Sequence, residues 1–223
     1  MAIGIIGAMG SEIELLKTHL TDMKETVFAG RSFYCGKIGG NDVVLVCSGI
    51  GKVNSAITAQ ILIDRFNVSA VINTGVAGGA GGMGGRDVVI STETVFHDMD
   101  AEIVSHSYPY LKAFQADQKL VELALAACEG KVRAKAGRIA TGDQFICERS
   151  MKDDIVARTS PLAIEMEGGS IAHACASNGI PFVIIRSISD NADDEAEMSF
   201  ETFEKIAAND AAEIVTAMLH SMN

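Results

Sequence analysis

Five short runs of consecutive apolar residues constrain this chain more than any other feature. They are Ile3-Gly4-Ile5-Ile6, Val43-Val44-Leu45-Val46, Ala70-Val71-Ile72, Val88-Val89-Ile90 and Phe182-Val183-Ile184-Ile185. A strand with one wet face alternates apolar and polar residues, whereas a strand covered on both faces is apolar throughout. Helical periodicity fills the intervals. Ser11 is the expected N-cap of a helix carrying Ile13, Leu16 and Leu20. Val53, Ile57 and Ile61 share one side of a helix running to about Phe66, and further helices are expected at Leu120–Cys128, Gly168–Ser177 and from Phe200 to about His220. Gly137–Thr141 reads as one more strand. Buried strands alternating with helices predict a three-layer α/β/α fold around a central mixed, mostly parallel sheet.

The chain has 223 residues without a Pro/Ser-rich linker or internal repeat, so a single domain over 1–223 is expected. A formal net charge of -11 and the lack of any Lys/Arg cluster give phosphate backbones no footing, which argues against nucleic-acid binding. No apolar run reaches 18 residues and no basic-then-apolar leader opens the chain, so neither membrane spanning nor export is expected. Five cysteines without CxxC spacing point to a reduced, cytoplasmic setting.

Carboxylates emerge at the ends of the buried runs. Arg186-Ser187-Ile188-Ser189-Asp190 closes one, and Glu165-Met166-Glu167 follows another short apolar stretch. A lone buried charge is costly, so such acids are paired, protonated or in contact with a ligand. The plain reading is a structural ion pair with Arg186. The functional one is an acid–base pair in a site. Parallel strands deliver their loops to one sheet edge, which would gather Gly7–Glu12, Ser48–Lys52, Gly75–Gly79, Gly142–Ile146 and Ser189–Asn191. Segment 75–85 has seven glycines in eleven residues, fitting either a flexible turn or close backbone approach to a ligand. It lacks the Lys-Ser/Thr ending of a triphosphate loop. Gly4-Ile5-Ile6-Gly7-Ala8-Met9-Gly10 is GxxGxxG and so falls short of the dinucleotide fingerprint. His97-Asp98 has no partner cluster that would make a metal site. Neither metal nor cofactor is expected. Phe145 and Phe200, beside loops, are either core or platforms for a planar ring.

Seven segments, in order, resemble the 5'-methylthioadenosine/S-adenosylhomocysteine nucleosidases of the purine nucleoside phosphorylase-like superfamily. They are Gly4–Met9 with Glu12, Ser48-Gly49-Ile50-Gly51-Lys52-Val53, Asn73-Thr74-Gly75-Val76-Ala77-Gly78-Gly79, Gly142-Asp143-Gln144-Phe145, Glu165-Met166-Glu167, Arg186–Asp190 and Ser199-Phe200. The resemblance implies a nucleoside phosphorylase-like fold and hydrolysis of the bond between adenine and a 5'-thio-substituted ribose. Asp190 would protonate adenine N7, with Ser189 beside it, while Ile146 binds the base edge through its backbone and Phe145 stacks on the purine. Glu167 and Met166 would hold the ribose. Glu12, assisted by Arg186, would activate water. Ala77 and Gly78 would lie along base and sugar, and Met9, Ile50 and Phe200 would line the 5'-thio pocket. Val76 stands where many members carry serine. A homodimer is implied, with part of 99–114 serving a neighbouring subunit's pocket.

The chemistry suits these residue types. Adenine leaves poorly unless protonated, and an aspartate, ordinarily near about 3.9, must titrate roughly three pH units higher to serve as the acid. The ribosyl cation is favoured by an ionised carboxylate at its hydroxyls. A second carboxylate readies water on the opposite face, as in inverting glycosidases. A purine nucleoside phosphorylase using phosphate is the nearest alternative, although Glu12 would repel that anion. Related 6-amino-purine nucleosides, such as 5'-deoxyadenosine or aminodeoxyfutalosine, remain open as substrates. A non-catalytic nucleoside binder is the alternative from another class.

Overall fold

A computed structural model describes the backbone of residues 2–190 and 196–222, and the side chains of 2–190 and 203–222. Its strands are β1 (Ile3–Gly7), β2 (Thr21–Phe28), β3 (Arg31–Ile38), β4 (Asn41–Cys47), β5 (Ala70–Gly79), β6 (Val88–Phe96), β7 (Phe114–Gln115), β8 (Ala134–Thr141), β9 (Ala163–Glu165) and β10 (Phe182–Asp190). The helices are α1 (Gly10–Thr18), α2 (Lys52–Phe66), α3 (Ala101–Ser105), α4 (Gln118–Cys128), α5 (Arg149–Thr159), α6 (Gly168–Asn178) and α7 (Ala196–Ser221).

The strands join in the order β10-β6-β8-β9-β5-β1-β4-β3-β2, and β10 also pairs with β5. The half built from β5, β10, β6, β8 and β9 therefore closes on itself, while β1, β4, β3 and β2 extend from it as an open sheet. Pairings β1–β4, β1–β5 and β5–β10 are parallel, as are β6–β8 and β8–β9. Antiparallel pairs occupy the β2–β3–β4 meander and the contacts β5–β9, β6–β7 and β6–β10. The sheet is mixed, as expected, with its parallel pairings running through β4–β1–β5–β10 and β6–β8–β9.

Consecutive apolar residues on a strand point to opposite faces, and the two cores follow that rule. Ile5, Leu45, Ile72, Val183 and Ile185 pack with residues of α1, α4 and α7. Ile6, Val44, Val46, Val71 and Ile184 pack on the other side with α2 and α6. That two-sided burial is why these runs are unbroken. The expected cap differs: α1 begins at Gly10 after Met9, and Ser11 lies in its first turn. Gly75–Gly79, expected as a loop, is the end of β5.

Candidate active site

The carboxyl ends of β1, β5 and β10 lie side by side because their parallel registers pair Ile6 with Asn73 and Asp190 with Gly78. The chain after β4, β8 and β9 reaches the same edge. Together they enclose a cavity of about 430 Å³.

Its deep end is ionic. Arg186, within β10, is fully buried, and Glu12, Glu165 and Glu167 are 1%, 5% and 4% exposed. Arg186 Nη2 donates to Glu165 Oε2, to Asn73 Oδ1 at 2.8 Å and to Glu167 Oε2 at 3.3 Å. Its Nη1 lies 3.8 Å from Glu12 Oε1. One guanidinium thus faces three carboxylates, a density that only close hydrogen bonding makes tolerable.

Glu12 is both cap and site residue. Oε2 accepts the Ala8 and Met9 N–H groups ahead of α1, while Oε1 accepts the Val76 N–H at 3.0 Å. Burial pushes its carboxyl up, against the Arg186 charge and these three backbone donors, which lower it. A Cβ on Gly75 would come within 2.3 Å of Glu12 Oε1 and 2.4 Å of Arg186 Nη1. The backbone of β5 therefore approaches the acid where a side chain would collide with it.

Glu167 follows β9 and N-caps α6. Its Oε1 accepts the Gly51 N–H at 2.9 Å. Burial first, opposed by Arg186 and reinforced by Glu165 and Glu12, raises its pKa to about 7. Glu165 takes the structural share: it accepts the N–H groups of Glu167 at 3.0 Å and Gly168 at 2.7 Å, and the Thr141 hydroxyl. At the other end of the cavity, Asp190 terminates β10, 4% exposed, and accepts from the Ser189 hydroxyl at 2.8 Å.

Of the residues expected at the site, Met9, Glu12, Ile50, Val76, Ala77, Gly78, Phe145, Ile146, Met166, Glu167, Ser189 and Asp190 line this one cavity. Arg186 does not line it. Its side chain sits behind the carboxylates, closer to Glu165 than to Glu12, so the plain ion-pair reading holds for Glu165. The side chain of Phe200 lies outside the described residues. Sequence reasoning missed Glu165, Ala8, Gln144 and Ile164 as lining residues, and Asn73 and Thr141 as supports. The available signal was the short spacing of Glu165 and Glu167, which places both near the same buried cation.

Carboxylates at both ends of an apolar cleft suit acid–base work on a bound small molecule. The phosphorylase superfamily model matches residues 2–220. A 5'-methylthioadenosine/S-adenosylhomocysteine nucleosidase of Oceanobacillus iheyensis is 45% identical, covering 98% of this chain and 99% of that one. The corresponding nucleosidase of Neisseria meningitidis, solved with methylthio-immucillin-A, superposes with a TM-score of 0.94 at 38% identity and covers 99% of both chains. That of S. pneumoniae, with a transition-state inhibitor, gives 0.94 at 36% identity and covers 100% of both.

Proposed function

This chain belongs to the phosphorylase superfamily, and from that premise we propose that it hydrolyses the N-glycosidic bond of 5'-methylthioadenosine and S-adenosylhomocysteine to adenine and the 5'-substituted ribose. The similar proteins are named nucleosidases over essentially their whole length, and solved relatives hold ligands of that class. The observation that carries the mechanism is the presence of Glu12, in the first turn of α1, and Asp190, at the end of β10, in one cavity.

Asp190 donates its proton to the purine ring nitrogen, so the departing base leaves neutral. Ser189 orients that carboxyl through its hydroxyl. The Ile146 backbone holds the base edge and Phe145 covers its face. Glu167, its second oxygen fixed by Gly51, binds the ribose hydroxyls, where its negative charge favours the cationic sugar over the neutral ground state. Met166 packs against the sugar, Ala77 and Gly78 along the base, and Met9 and Ile50 at the thioether. Glu12 accepts a proton from the attacking water. Arg186 keeps Glu12 and Glu167 in place by charge while Glu165 occupies its nearest donor. Val76 offers water no hydroxyl, and its N–H is committed to Glu12.

Phosphorolysis is disfavoured, because phosphate would have to approach a buried set of three carboxylates that shares one guanidinium. The whole chain acts as one nucleosidase domain, cytoplasmic, without metal or cofactor and without nucleic-acid or membrane partners. Among the described residues no helix is long and apolar enough to cross a membrane. A homodimer is supported by Ile50, Val53, Ile57, Met99, Ile103 and Tyr108, all exposed at 44% or more. A solved Helicobacter pylori futalosine hydrolase mutant, 33% identical, supports a nucleoside range wider than the two 5'-thio substrates.

Incubation with each nucleoside in phosphate-free buffer, followed by chromatography, should release free adenine. Adenine appearing only with phosphate would instead mark a phosphorylase, and tight binding without adenine a binding protein.

A further inference from the structure

A charge cluster outside the cavity joins three loops that the mechanism needs. Lys52 opens α2. Its backbone N–H donates to Asp143 Oδ1 at 2.8 Å, and its ammonium donates to both oxygens of Asp98 at 2.7 Å. The same Nζ lies 3.7 Å from Asp143 Oδ2, and Asp98 Oδ2 accepts the Asp143 N–H at 2.9 Å. One cation thus holds together the segments that follow β4, β6 and β8.

Two of its arms continue into the site. Gly51, the residue before Lys52, donates to Glu167. Asp143 lies just ahead of Gln144, Phe145 and Ile146, which line the cavity. The Lys52, Asp98 and Asp143 side chains are 20%, 22% and 48% exposed, so the cluster contributes little to global stability. Local geometry is another matter. With the ammonium removed, Asp98 and Asp143 meet as like charges and the two loops are pushed apart.

We propose that Lys52 is a positioning residue that, by bridging Asp98 and Asp143, sets the placement of the 143–146 segment and the Gly51 donor for nucleoside binding. The kinetic readout rests on the nucleosidase reading, and adenine affinity supplies a second readout independent of turnover.

In Lys52→Met the stem remains and the charge is lost. The KM for methylthioadenosine should rise about tenfold with kcat changed less than about threefold, because binding geometry and not the reacting groups is disturbed. Calorimetry should show adenine affinity falling in parallel. Lys52→Arg should regain most of both, and Asp98→Asn should reproduce the loss. The melting temperature of Lys52→Met should stay within about 2 °C of wild type. Unchanged KM and adenine affinity in Lys52→Met would overturn the proposal. So would a loss that Lys52→Arg leaves unrepaired while melting falls by more than about 5 °C. Should the wild type release no adenine, the nucleosidase reading fails, and adenine affinity alone still decides the role of Lys52.

Discussion

The two ends of the cavity are built differently. At the proposed water end, Glu12, Glu165, Glu167 and Arg186 are buried on strands and at helix starts, each fixed by several donors or acceptors. At the purine end, Asp190 shares that rigidity, but Phe145, 42% exposed, rides on a loop that surface ions hold in place. The groups proposed to move protons or stabilise charge thus sit on strands or in the first turns that follow them, where misplacement is most costly. Phe145, proposed to cover the base, stands at the exposed rim, while Ile146, proposed to hold its edge, is buried.

The largest effect should come from the acid at the fixed end of β10. Asp190→Asn should cut kcat by on the order of 10²–10⁴ with the melting temperature nearly unchanged. Retention of more than about a tenth of wild-type turnover would place the proton donor elsewhere. Glu12→Gln should follow with a loss of about 10² in kcat and a smaller change in analogue binding. Equal losses would reduce Glu12 to a helix cap.

Glycine substitutions sharpen the contrast between fixed and free backbone. Gly75→Ala should lower turnover about tenfold or more by displacing Glu12 and Arg186. Gly84→Ala, whose Cβ meets nothing within 4 Å, should leave it unchanged. The glycine-rich segment therefore divides into a wall that needs glycine and a turn whose Gly84 has room to spare.

The pH dependence follows from Glu167. Its pKa is raised from 4.5 to about 7, so the carboxylate proposed to bind ribose forms as pH passes through about 7, and kcat/KM should climb there. Stability runs the other way. The folded state holds this proton longer than the unfolded chain, so its contribution is full below about 4.5 and is lost as pH rises through about 7. In Glu167→Gln, the melting-temperature decline over that window should shrink. The smallest effect belongs to the exposed rim: Phe145→Ala should raise KM roughly three- to tenfold, the size of one lost ring contact.

How much was legible follows the same division. The strands apolar on both faces and the helices between them could be read from residue order, because two-sided burial leaves unbroken apolar runs. The β2–β3 hairpin could not. Seven of the eight residues of β2 are exposed, so nothing in Thr21–Phe28 alternates toward a core. Helix α5 buries only Ile155 and carries no apolar stripe, and β9 is three residues long. Within the site, Glu12 could be singled out only in the company of other motifs, since a carboxylate in a first helical turn is ordinarily a cap. In the structure its two oxygens divide those tasks. Glu165 could be read as a partner of Arg186 but not as a lining residue, because its contacts with Thr141 and Arg186 join segments far apart in sequence.

Water as nucleophile is the point on which the account stands. Methylthioadenosine turned over in phosphate-free buffer made with ¹⁸O-labelled water should yield unlabelled adenine and a methylthioribose carrying one heavy oxygen, read by mass spectrometry before the sugar exchanges. A sugar phosphate formed once phosphate is supplied, with no turnover in its absence, would contradict it.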